Sequence, residues 1–162
     1  MLRLIPILVL VVASTFAQEP APATSAGTFA ELSVYDPGRS AHDDVLAAQA
    51  EAKRTGKRVL LEIGGEWCKW CHIMDRTFAE NPDLLALRRQ NYVTVKVNVS
   101  RENMNKEALK RFGEIPGFPY LIVLDADGKV VRKQNTGDLE SGRGYDLDRF
   151  RKFLEKYAPK KS

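Results

Sequence analysis

The chain has 162 residues, 44 % apolar and 28 % charged, with 25 Lys or Arg against 21 Asp or Glu and a net charge of +4. That composition builds one globular domain with a proper core and excludes global disorder. The small, scattered basic excess makes no nucleic-acid surface, two cysteines make no disulfide-rich scaffold, and two histidines hold no multi-ligand metal site without carboxylates.

The first residues are a separate object. Met1–Arg3 carries one positive charge, Leu4–Ala13 is apolar apart from Pro6, and Thr15 and Ala17 place small residues at the −3 and −1 positions of a cut after Ala17. Residues 1–17 therefore read as a secretory signal, and no apolar run reaches the roughly 18 residues of a membrane-spanning helix. The competing reading is an uncleaved anchor. After cleavage no stable membrane insertion is expected. An exported chain meets an oxidising compartment, where paired cysteines persist as disulfides. Residues 18–27 (QEPAPATSAG) carry two prolines and no bulky apolar side chain, as a flexible tether does. The folded domain is expected over 28–158, with a short tail at 159–162.

Within the domain, Thr28–Tyr35 predicts an edge strand and Asp36-Pro37-Gly38 a turn. Ser40 caps a helix over Ala41–Thr55, which buries Val45, Ala48 and Ala52 and stops at Gly56. Val59–Ile63 is a short apolar strand, and a helix follows from Cys68 to about Phe78. Asn81-Pro82 opens another over Pro82–Gln90. In Val93–Val99 the valines face one way and Thr94, Lys96 and Asn98 the other. Asn103–Phe112 predicts a helix ended by Gly113. Tyr120–Leu124 and Val130–Gln134 predict a hairpin about Asp125–Gly128, and Leu147, Phe150, Leu154 and Tyr157 mark the buried face of a last helix. Helices between the early strands imply parallel crossovers, and the final hairpin is antiparallel, so the expected fold is α/β: a central mixed sheet with helices on both faces.

The chemistry converges on Trp67-Cys68-Lys69-Trp70-Cys71-His72. Helical positions i and i+3 lie about 5–6 Å apart, a spacing that a disulfide accepts. At the helix N-terminus the Cys68 thiolate meets unpaired backbone N–H groups and the helix dipole, which bring a thiol from about 8.5 into the range of about 3.5–7.5. Cys71, one turn in, lacks that help, so Cys68 attacks and Cys71 resolves. A purely stabilising bridge is the weaker reading, since closing so short a loop contributes only about 2 kcal/mol against about 4.7 for a loop of ~100 residues. The C-x-x-C-H pattern also matches c-type haem attachment, with His72 as one axial ligand and Met74, Met104 or His42 as the other. The strand signals argue against it, because small haem proteins of that kind are mainly helical.

Together these residues resemble the thioredoxin superfamily over about residues 28–158. Glu62 in VLLEI, six residues before Cys68, matches the family's buried acid. Lys96 falls where the family has a lysine beside it, Phe118-Pro119 matches its cis-proline, and Thr136-Gly137 matches the turn into the last helix. The GGEWCKWCHIMD segment is similar to exported thioredoxin-like proteins with a Trp-Cys-x-Trp-Cys segment. Departures are Lys69-Trp70 in place of Gly-Pro, the bulky Phe118 and Tyr120 around Pro119, the extra Pro116, and a longer connection at 138–146.

The resemblance implies a thiol–disulfide oxidoreductase that needs no metal or organic cofactor. Cys68 and Cys71 form its redox-active disulfide, Glu62 accepts the Cys71 proton and Lys96 tunes that acid. Pro119 holds the Phe118 backbone open to an extended substrate segment. Trp67, Trp70 and Phe118 form an apolar rim for docking, and Lys69 and His72 favour the Cys68 thiolate by charge; a binding module without turnover is the other alternative. Partners would be substrate proteins with disulfides or thiols and a membrane electron carrier. The expected place is outside the cytoplasm, in a bacterial periplasm.

Overall fold

The computed structural model describes residues 29–31 and 33–160; the signal and tether expected over 1–27 lie outside them. Helix α1 (Ala41–Thr55) leads into strand β1 (Arg58–Gly64), then α2 (Lys69–Glu80), α3 (Pro82–Asn91), β2 (Tyr92–Asn98), α4 (Lys106–Lys110), β3 (Tyr120–Leu124) and β4 (Val130–Asn135). A 3-10 turn (Thr136–Leu139), a two-stranded ribbon of β5 (Glu140–Ser141) and β6 (Gly144–Tyr145), and α5 (Leu147–Lys156) complete it.

The four-stranded sheet runs β2-β1-β3-β4. Strands β1 and β2 are parallel, and β3 is antiparallel to both β1 and β4. Side chains alternate across β1. Val59, Leu61 and Ile63 join the four valines of 93–99 and α1 in one core layer, which Leu109 and Phe112 close. Leu60 faces the other layer with Met74, Phe78, Leu84, Phe150, Phe153 and Leu154 from α2, α3 and α5. Three edge-to-face contacts, Phe78–Phe150, Tyr145–Phe150 and Phe150–Phe153, organise that second layer.

The ends of the elements follow local chemistry. Ser40 accepts the Asp43 N–H, and Gly56, in the left-handed region, stops α1 as expected. Asn81 is the N-cap of α3, with Pro82 in the first turn as expected, but its side-chain amide donates to the Thr77 carbonyl at the end of α2 rather than capping α3.

Three expectations change. No strand forms over the described residues of 29–35. The Tyr35 N–H donates to the Glu66 carboxylate rather than to a neighbouring strand, and Glu31 is drawn to Arg88 and Arg89. The helix expected over 103–112 shrinks to α4, because Asn103 and Asn105 hydrogen-bond the backbone: Asn103 donates to the Pro37 and Arg39 carbonyls, and Asn105 accepts the Ala41 N–H. Leu147 is 41 % exposed and Phe153 takes its place in the core. The alternation in β2 holds, with the valines on one face and Thr94, Lys96 and Asn98 on the other, and both sets are buried.

Candidate active site

Cys68 follows β1 and is the N-cap of α2. Its Sγ accepts the Cys71 N–H at 3.2 Å and is bonded to the Cys71 Sγ, with the two Cα atoms 5.2 Å apart. Both cysteines are buried residues, Cys71 fully. The Phe118–Pro119 bond is cis, and the Pro119 carbonyl accepts the Thr136 hydroxyl at 2.6 Å.

The cleft beside the disulfide is apolar on one flank. Trp67 is 60 % exposed, donates its ring N–H to the Val99 carbonyl at 2.7 Å and meets the Phe118 ring edge-on at 5.5 Å. These two rings border a groove of 810 Å³ that runs on to Val99, Met104 and Tyr35. Trp70, expected on the same rim, is half buried and packs edge-on against Tyr145 of the β5–β6 ribbon, at 5.6 Å. The long 138–146 connection thus supplies a packing partner that the sequence did not reveal. Lys69 is exposed. His72 is held at the surface by the Glu66 carbonyl, 2.7 Å from its Nε2, with a Glu66 carboxylate oxygen at 3.8 Å.

Behind the disulfide lies a charged cluster. Glu62 is fully buried and shares a face of β1 with Gly64, about 7 Å along the strand. Its Oε1 accepts from Arg88 Nη1 at 2.8 Å. Its Oε2 has no hydrogen-bond partner among the described residues, with Lys96 Nζ at 3.4 Å. Lys96 sits opposite Glu62 in the β1–β2 register and donates to Asp75 at 2.6 Å. Burial pushes the Asp75 carboxyl above the usual range, against the pull of its Lys96 bond. Tyr35 completes the cluster: it is 1 % exposed, packs with Cys68 and Cys71, and carries the Lys96 ammonium 4.4 Å over its ring. Burial and the neighbouring Glu62 hold its phenol well above the usual range.

The structure thus gathers Cys68, Cys71, Glu62, Lys96, Trp67, Phe118 and Pro119, and leaves Lys69 and His72 at the surface. Tyr35, Glu66, Asp75 and Arg88 were not foreseen. Of these, only Asp75 carried a local signal that could have found it: four residues after Cys71, it lies one helical turn along the same face.

Gly64 marks the closest approach of strand and disulfide. A Cβ there would collide with Cys71 Sγ and lie 3.2 Å from the Tyr35 ring and hydroxyl. Gly64→Ala is expected to lower stability by about 1–3 kcal/mol through overpacking. Gly117→Ala, whose Cβ meets nothing within 4 Å, is the control. Equal urea midpoints for the two variants would contradict the clash.

This strand order, with a disulfide opening the helix after β1 and a cis-proline before β3, defines a thioredoxin-type α/β protein. The chain belongs to the thioredoxin-like family, whose model matches residues 40–126. It is similar to the thiol:disulfide interchange protein DsbD 2 of Pseudomonas aeruginosa, 33 % identical over an alignment of 117 residues, with 65 % of this chain and 20 % of that protein covered. To the DsbE protein of the same organism it is 33 % identical over 99 residues, 60 % of this chain and 46 % of the relative. The chain therefore spans about a fifth of the length of the first of these relatives and under half of the second. Among solved structures, a disulphide isomerase from Xylella fastidiosa Temecula1 is 30 % identical, with a TM-score of 0.65, over 75 % of this chain and 94 % of that one.

Proposed function

We propose that the protein is an exported thiol–disulfide oxidoreductase acting on the cysteines of other proteins. The observation that carries this reading is the Cys68 sulfur at the start of α2, accepting the Cys71 N–H while bonded to Cys71. In the reducing direction the Cys68 thiolate, stabilised by that N–H and the helix dipole, attacks a substrate disulfide. One substrate sulfur leaves as a thiolate and the other is bound to Cys68. Cys71 gives its proton to Glu62 Oε2, attacks Cys68, and frees the second substrate sulfur. Oxidation of a substrate dithiol is the reverse.

The substrate segment lies along Trp67 and Phe118, and Lys96 sets the charge around Glu62. Lys69 adds positive potential near Cys68. Export rests on the 1–17 signal, with residues 18–27 as a tether, 28–158 as the folded unit and 159–162 as a tail. A periplasmic setting and a membrane electron carrier that recharges the disulfide fit the similarity to DsbD 2. Among the described residues no helix is long and apolar enough to cross a membrane.

Haem attachment has less support. It asks for two sulfurs free to bond a porphyrin and a His72 ring turned to its iron, whereas both sulfurs are held in their mutual bond and His72 is engaged with Glu66.

Insulin reduction tests the proposal. Cys68→Ser is expected to reduce turnover to the uncatalysed rate, and Cys71→Ser to accumulate a mixed disulfide visible by non-reducing mass spectrometry. Activity unchanged by Cys68→Ser would remove the assigned nucleophile. A glutathione titration then fixes direction: a potential near about −270 mV marks a reductase and near about −120 mV an oxidant.

A further inference from the structure

Tyr35 is a buried side chain that the exchange steps above leave without a task. It lies in the segment before α1, far in sequence from the cysteines, yet it packs in one buried cluster with Cys68 and Cys71. Its hydroxyl has no hydrogen-bond partner among the described residues. An unpaired buried hydroxyl costs about 1–3 kcal/mol, so its retention calls for a state in which it is paired. Gly64 shows where that partner lies. A Cβ on Gly64 would meet both the Tyr35 hydroxyl, at 3.2 Å, and the Cys71 sulfur, so the two groups converge on the same bare Cα. In the disulfide the Cys71 sulfur is a weak acceptor; as a thiolate it is a strong one.

We propose that the Tyr35 hydroxyl is the hydrogen-bond donor that receives the Cys71 thiolate when the Cys68–Cys71 bond opens. The contact rests on the exchange reading above and adds a positioning residue to it. Three features of the site fit. Glu66, which immediately precedes Trp67-Cys68, accepts the Tyr35 N–H at 2.7 Å and so fixes the Tyr35 backbone to the active-site loop. The ring is clamped beneath the Lys96 ammonium. The phenol keeps its proton through the physiological range because burial and the carboxylates around it oppose ionisation, so it remains a donor. The charged and titratable groups facing it are Glu62 from β1, Lys96 from β2, Asp75 from α2, Glu66 from the loop and Tyr145 from β6. Tyr35→Phe leaves all of them in place and removes only the donor.

The decisive measurement is the equilibrium with glutathione at a pH above the Cys71 alkylation midpoint, in which two glutathione thiolates become one glutathione disulfide as the Cys68–Cys71 bond opens to two thiolates. Tyr35→Phe is expected to lower the equilibrium constant for reduction about tenfold, the scale of a hydrogen bond to a charged group. The thermal midpoint of the oxidised form should stay level or rise, since an unpaired hydroxyl has gone. A second arm uses Cys68→Ser, which leaves Cys71 as the only thiol. Adding Tyr35→Phe should move the midpoint of its pH-dependent alkylation by iodoacetamide upward by about one unit, which is the same tenfold. An unchanged constant or an unchanged alkylation midpoint would overturn the Tyr35 contact. A disulfide in the unaltered protein that glutathione cannot open would instead overturn the exchange reading. The alkylation arm requires no exchange and still decides the contact.

Discussion

Arg88→Met is expected to destabilise the protein by about 3–5 kcal/mol, the scale for removing one member of a buried ion pair. Glu62 is fully buried and gives its Oε1 to Arg88. Arg88 is itself buried, lies over the Phe78 ring at 4.3 Å, and turns its second nitrogen to Glu31. Without it the carboxylate keeps one cation, Lys96 at 3.4 Å, whose hydrogen bond goes to Asp75. Most of the loss comes from stranding Glu62 rather than from the worth of the pair, because desolvation offsets much of the attraction between two buried charges. A double variant checks this. Glu62→Leu with Arg88→Met replaces both charges by apolar volume and is expected to recover a large part of the stability. Urea unfolding of the two variants gives the comparison. A loss under about 1 kcal/mol for Arg88→Met would place the pair with exposed salt bridges and make Glu62 far less confined than its burial indicates.

Arg88 also shows where a linear reading ends. On α3 it looks like an ordinary solvated helix charge, and its partners are 26 and 57 residues away. No periodicity links such positions; only the packing of α3 against the β1–β2 pair does. Tyr35 has the same character, since beside Asp36-Pro37 it reads as the end of a strand. The helix caps, the apolar strands and the C-x-x-C spacing were legible because each rests on neighbours within a few residues. Lys96 falls between the two cases. Its alternation with valines placed it correctly opposite the valine face, and the Glu62 position was visible from VLLEI. Helices on both faces of the sheet implied that the opposite face was covered; that Asp75 waits there was not legible.

The pairing with Arg88 defines what Glu62 does in the exchange. Its Oε1 is committed to Arg88, so Oε2 is the oxygen available to accept a proton. Glu62 and the Gly64 Cα against which Cys71 rests are one side-chain repeat apart along β1, about 7 Å, which places the carboxylate behind Cys71 and not behind Cys68. On the proposed exchange, the benefit of this acceptor falls on Cys71 alone. Cys68 owes its thiolate to the start of α2. Glu62→Gln is consequently expected to slow the resolving step by about 10²-fold, the lower end of general-base effects, and to leave the first attack within about twofold. Quenched-flow sampling with a glutathionylated peptide separates the two steps, since the variant should accumulate the Cys68 mixed disulfide that the unaltered protein clears. Equal slowing of both steps would make Glu62 a structural residue. Asp75 is the competing acceptor, one turn from Cys71 with its carboxyl raised by burial. If Asp75→Asn and not Glu62→Gln accumulates the intermediate, the proton goes to the helix and not to the strand.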